Sequence, residues 1–222
     1  MASTLGLVSL GCAVGAGAVV VSWAHRRHDA LGRPRSFPFL GVGLLLVLAV
    51  VTSVPAAHRR LEEHRLARVG AVLVGVPVTV HCQTTTGALV DAGAELGFVR
   101  VTADGLPEHA TTLKRDPCRA LASYVGGGHE HPSRDEVVAV HVLTHESMHM
   151  RGETDEATAE CQAMQRDALT AQLLGASAAA ARALATAYWL AVYPLMPEGY
   201  TSAQCRPGAA MDEHLADAPW GA

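Results

Sequence analysis

The chain has 222 residues, room for one ordinary domain or for a small domain plus membrane segments. Half of its residues are hydrophobic, 17% are charged, the net charge is −4 and the mean hydropathy is +0.20; a typical soluble domain carries about 25% charged residues. This balance argues against a wholly soluble protein, against a disordered one, and against a nucleic-acid binder, which needs a dense basic face.

The charge deficit is concentrated in two places. No charged side chain occurs in 1–24 or in 36–57. Residues 5–24 and 37–57 each supply the roughly 20 apolar residues that a bilayer-crossing helix requires. In the first, Gly11 and Gly15 form a GxxxG, which permits close helix approach. A hairpin with the second segment is the expected use, and homodimerisation is the alternative. No Lys or Arg precedes the first segment, whereas Arg26, Arg27, Arg33 and Arg35 follow it. Its C-terminal end is therefore expected on the cytoplasmic side. The second segment is flanked by Arg59, Arg60, Arg65 and Arg68 on its far side and decides nothing by itself. A hairpin so oriented predicts a multi-pass protein of the cell membrane whose C-terminal domain lies outside the cytoplasm. The second segment also has the form of a signal sequence ending at Val54-Pro55-Ala56. Cleavage there would leave the same domain outside.

Residues 58–75 read as a juxtamembrane connector. Leu61, Leu66 and Val69 have helical spacing, so 58–69 is expected to continue the membrane helix, to lie on lipid, or to be solvated. The remaining 76–222 form the extracytoplasmic domain. Alternation at Val76, Val78 and Val80 predicts a short strand ending near Cys82, and FVRVT at 98–102 a second. Asp116-Pro117 predicts a helix start with Asp116 as the cap, running to about Val125. Ser133 and Glu136 fit a capping box for a helix that ends at Gly152. Thr154 or Asp155 caps the next helix, expected to run to about Leu174. An alanine-rich helix then covers 176–193, and the tail is mostly loop. The fold class is mainly α with a minor β element.

Cys12 sits in the first apolar segment, while Cys82, Cys118, Cys161 and Cys205 all belong to the domain. An even number in a small domain suggests two disulfides in an oxidising compartment. Three pairings exist. Cys82 with Cys118 and Cys161 with Cys205 is preferred, and four free thiols are the alternative.

The chemistry is concentrated in one helix. His145-Glu146-Ser147-Met148-His149 is an HExxH motif. Residues i and i+4 share a helical face, so the two imidazoles converge on one metal ion. Glu146, one step round the helix, can take a proton from water held at that ion, whose pKa zinc lowers to about 7. The segment resembles the zincin metallopeptidases, and Glu156-Ala157-Thr158-Ala159-Glu160 resembles the third-ligand helix of their gluzincin branch. The resemblance implies a zincin-like domain with Zn2+ as cofactor. Glu156 would be the third ligand, and Glu160 the carboxylate orienting a histidine. The connection 150–155 is shorter than that branch usually has. The rival reading is HExxHxxGxxD, similar to metzincin-type secreted proteases, in which Asp155 is the ligand and Met196 belongs to the turn beneath it. Residues 141–165 also resemble segments of small actinobacterial membrane proteins.

His141, one turn before His145, is read as a packed histidine, with an extra ligand as the sharper alternative. His129 and His131 follow three glycines and read as loop. Tyr188, Tyr193 and Tyr200 are candidate transition-state hydrogen-bond donors, with Tyr200 preferred. The expected function is a membrane-anchored metallopeptidase-like protein that meets lipid and a protein or peptide substrate. The alternative is a non-catalytic, disulfide-stapled envelope protein with a structural or degenerate metal site.

Overall fold

A computed structural model describes residues 4–28, 31–84, 93 and 95–220. It is mainly helical, with one small sheet and two long apolar helices, and it divides into two compact units, Met1–Leu61 and Glu62–Ala222.

In the first unit, α1 (Thr4–His25) and the start of α2 (Phe39–Val74) are long and apolar enough to cross a membrane. They touch through Ser9, whose hydroxyl donates to the Ala49 carbonyl at 2.9 Å, and at Gly15, where a Cβ would meet Leu45 Cδ1 at 3.7 Å. Gly11 has open space around its Cα. Pro55 sits inside α2 without ending it, so the segment expected as a connector continues the helix. Leu66, Val69 and Leu73, at the far end of α2, are buried in the core of the second unit. A Cβ at Gly70 would lie 2.9 Å from Val78 Cγ2, so glycine there allows α2 to approach the start of the sheet.

The sheet has three strands where two were expected: β1 (Thr79–Cys82), β2 (Gly97–Val101) and β3 (Pro107–Leu113), in the order β1-β3-β2. The unexpected β3 is central, parallel to β1 and antiparallel to β2. Its sequence, PEHATTL, is too polar to resemble a core strand. Two buried positions, Thr111 and Leu113, suffice to seat it.

Helices follow: α3 (Arg115–Gly126), α4 (Arg134–Met150), α5 (Glu156–Met164), α6 (Asp167–Leu173) and α7 (Ala178–Ala191). Lys114, not Asp116, precedes α3, and no side chain caps it; Asp116 lies in the first turn, where its charge still suits the helix N-terminus. The Ser133–Glu136 capping box starts α4 as expected. Gly152, at φ +109°, turns the chain out of α4 in a conformation that favours glycine. The helix expected to run unbroken to Leu174 is two helices. The break at Gln165 contains no Gly or Pro and arises from tertiary bonding. The buried Gln165 amide donates to the Cys161 and Met211 carbonyls at 3.0 and 2.9 Å and accepts from the Glu213 N–H at 2.8 Å.

Disulfides join Cys82 to Cys118 and Cys161 to Cys205, the chain-order pairing. The first ties β1 to α3 and the second ties α5 to the tail. Closing loops of 36 and 44 residues contributes about 4 kcal/mol each by restricting the unfolded chain. Cys12 is free.

Candidate metal centre

The core of the second unit is organised around α4, which is buried along almost its whole length. A helix this deep can carry polar side chains only where each has a partner. His141, His145 and His149 rise one turn apart along it and find different partners.

His149 stands at the last turn. Its Nδ1 donates to the Glu153 carbonyl at 2.7 Å, in the loop that Gly152 turns back. That bond fixes the tautomer and leaves the Nε2 lone pair free. His145 Nε2 lies 2.9 Å from His149 Nε2. Glu156, the first residue of α5, places Oε2 at 3.1 Å from His145 Nε2 and 3.3 Å from His149 Nε2. Two nitrogens and a carboxylate oxygen are thus mutually 2.9–3.3 Å apart. Donor atoms on a tetrahedral ion at zinc–ligand distances are separated by about 3.3 Å. The group could hold a metal ion.

Asp155 stands outside this group and caps α5. Exposed, it accepts from Thr158 N and Thr158 Oγ1 at 2.8 and 2.7 Å, which lowers its pKa. The Glu153 carboxylate accepts from the Thr154 and Asp155 amides, both at 2.9 Å, and so shapes the same turn.

Glu146 is buried on the adjoining face. The Thr111 hydroxyl lies 3.4 Å from its Oε2 but 3.0 Å from the Phe98 carbonyl, and its single proton serves the nearer acceptor better. Burial therefore dominates and pushes the Glu146 carboxyl up to about 7, although His145 beside it works the other way. At Gly97, in β2, a Cβ would come within 2.7 Å of Glu146 Oε1. Glycine at this position makes the room that Glu146 occupies.

Behind the histidines is a sealed network. Glu160 Oε2 accepts from His141 Nε2 at 2.9 Å, and Glu160 Oε1 accepts from the Tyr188 hydroxyl at 2.7 Å. His145 Nδ1 is 3.1 Å from the same Oε2, close enough for an ion pair but off the line of a hydrogen bond. His141 Nδ1 donates to Asp167 Oδ2 at 2.8 Å, and Tyr188 stacks on the imidazole at 3.6 Å. Burial alone would neutralise His141. Asp167, then Glu160, outweigh it and raise the imidazole to about 10. The same ion pair overcomes the burial of Glu160 and holds its carboxyl well below the usual range. His145 follows a similar balance: burial opposes its charge, but Glu156 and Glu160 raise it to about 9. His141, His145 and Glu160 also form a second group with metal-ligand spacing. There each ring nitrogen of His141 already faces a carboxylate, and no open position remains.

The convergent group opens into a cleft of about 600 Å³ walled by β2, α4 and the turns after α7. Tyr200, on the short turn Glu198–Tyr200, lines it with its ring 5.9 Å from His145. Burial, then Glu156, raises its phenol pKa, so it stays a neutral donor. Met196 and Tyr188 line the same cleft, Tyr188 with its hydroxyl committed to Glu160, whereas Tyr193 bonds to Ser202. His129 packs edge-on against Tyr124 in a structural role.

Sequence reasoning missed Asp167 and Gly97, and it named Tyr188 as a candidate transition-state donor, not as the partner of Glu160. The i, i+4 spacing of His141 to His145 could have pointed to the network, but nothing local marks Tyr188 or Asp167 as its partners. No family model, curated protein or solved structure matches this chain.

Proposed function

We propose that this protein is a membrane-anchored zinc metallopeptidase that hydrolyses peptide bonds outside the cytoplasm. The observation that carries the reading is the convergence of His145 Nε2, His149 Nε2 and Glu156 Oε2 beside a buried Glu146, all in one cleft.

His145, His149 and Glu156 would hold the zinc, and the ion, when bound, supplies an electrophile that polarises a peptide carbonyl and acidifies water. Glu146, with its carboxyl near neutrality, takes the proton from the attacking water and returns it to the departing amine. Glu160, held by His141 and Tyr188, keeps His145 oriented. Tyr200 offers a phenol to the oxygen on which charge develops. An edge strand, β2, lines the cleft, and a free strand edge can pair with an extended peptide. The arginine step across α1 and the two disulfides favour an extracytoplasmic domain, with α1 and the apolar part of α2 as the anchor.

The test is Glu146→Gln in the full chain, purified in detergent and assayed with internally quenched peptides. Zinc should be retained and cleavage should fall at least 1000-fold. Cleavage unchanged by Glu146→Gln would remove the peptidase reading, and a metal-binding protein without activity against any peptide would favour the non-catalytic envelope role.

A further inference from the structure

The second unit is tied closely to the apolar helices by its own chain. Residues 58–65 are all that separates the apolar stretch ending at Ala57 from Leu66, which is buried in the domain core. Fully extended, that link reaches no more than about 30 Å. With α1 and the apolar part of α2 in a bilayer, some face of the domain stands close to the lipid surface. The exposed apolar side chains indicate which face. Leu96 and Val101 line the cleft, Val101 with 61% of its surface exposed. Leu106, 66% exposed, adjoins the lining residue Pro107, and Leu195, 72% exposed, adjoins the lining residue Met196. Among the described residues of the domain, the other large exposed apolar side chains, Val72, Val76, Leu169, Leu173 and Leu190, neither line the cleft nor adjoin a lining residue in sequence. Scattered exposed apolar residues are ordinary, but a group around one opening marks a surface that something covers.

Both sides of the mouth are held by backbone bonds. The Thr102 N–H donates to the Leu106 carbonyl at 2.8 Å and the Gly105 N–H to the Thr102 carbonyl at 3.0 Å, while Val101 pairs with Pro107 across the β2–β3 ladder. Val101 and Leu106 thus stand side by side on a closed turn. Leu195 ends the short turn Tyr193–Leu195, and its N–H donates to the Val192 carbonyl at 2.9 Å. Side chains presented on fixed turns lose little backbone freedom when they are covered. Charges of both signs, Arg100, Asp104, Glu95 and Glu198, are exposed among them. Apolar burial, not attraction to a charged headgroup, is therefore what a lipid surface offers this face.

Resting on the membrane-anchor part of the proposed function, we infer that the mouth of the cleft docks on the lipid surface, with Val101, Leu106 and Leu195 entering the layer between headgroups and acyl chains. The short link and the two fixed turns act together: the first keeps the domain within reach of lipid, and the second selects the face that meets it. Seated in this way, the cleft meets chains that emerge from the same bilayer.

The test uses the full chain reconstituted in phosphatidylcholine vesicles, in a Cys12→Ala background that leaves both disulfides intact. One introduced cysteine carries a bimane label in each sample: Leu44→Cys in the apolar part of α2, Leu106→Cys or Leu195→Cys at the mouth, and Leu169→Cys on α6. When brominated acyl chains replace plain ones, fluorescence at 44, 106 and 195 should be quenched at least threefold more than at 169. Leu106→Asp should reduce the quenching at 195 at least twofold, because one face seats both. Quenching at 44 without quenching at 106 and 195, equal quenching at 169, or quenching at 195 unmoved by Leu106→Asp would overturn the inference and leave the anchor standing. No quenching at 44 would remove the anchor reading and the inference with it. None of these readouts needs zinc or cleavage, so they stand apart from the peptidase reading.

Discussion

Two sites a single helical turn apart use the same residue type in opposite ways. His141 is sealed: each ring nitrogen meets a carboxylate, Tyr188 covers one face, and only 2% of the residue is exposed. His145 and His149 instead turn their Nε2 atoms toward each other and toward a cleft, with Glu156 as the third corner. The sealed histidine completes its environment with its own protons. The open pair gathers three atoms that a single cation could bridge. Burial of a histidine is thus uninformative until its partners are counted. The partner count distinguishes a structural imidazolium from a candidate ligand.

The comparison breaks if the two sites respond alike to truncation. His149→Ala should lower zinc affinity at least 100-fold while the metal-free domain keeps its unfolding midpoint. His141→Ala should destabilise the domain by about 3–5 kcal/mol, because Glu160 and Asp167 would remain buried without their cation. Chemical denaturation in the presence of chelator, with disulfides intact, reads both effects.

A milder change sharpens the link between the sites. Tyr188→Phe removes one hydrogen bond to Glu160 and keeps the stacked ring. It should cost about 1–2 kcal/mol of stability and about 10-fold in zinc affinity, through a looser Glu160 behind His145. An unaltered affinity, measured by competition with a zinc chelator, would uncouple the sealed network from the open group.

The smallest effect is graded with pH. In the metal-free protein His145 holds its proton up to about pH 9, so below that pH a proton competes with the ion. Zinc affinity should therefore rise about tenfold per pH unit through the neutral range and level off near pH 9. A flat profile between pH 6 and 8 would mean that the ion does not displace the His145 proton.

How much of this was legible beforehand follows from what is local. The HExxH pair and the Glu156–Glu160 pair follow the helical period, so their shared faces could be read directly from spacing. The capping box at Ser133 and the turn at Gly152 are equally local. The central strand β3 was not legible because its partners, not its composition, make it a strand. The break after α5 depends on a buried amide, Gln165, reaching the tail about 46 residues away. Asp167 and Tyr188 reach His141 and Glu160 from 26 and 28 residues along the chain, and no periodicity connects such distances. The choice between Asp155 and Glu156 also needed coordinates. The two are adjacent, and only the helix start shows that one caps and the other turns toward the histidines.

That choice carries the central claim and admits a direct measurement: zinc per chain, by mass spectrometry of metals, in the wild-type protein, Glu156→Ala and Asp155→Ala. One zinc in the wild type and in Asp155→Ala, with far less than one in Glu156→Ala, is the predicted result. No zinc in the wild type, or zinc lost with Asp155 and kept without Glu156, would contradict the account.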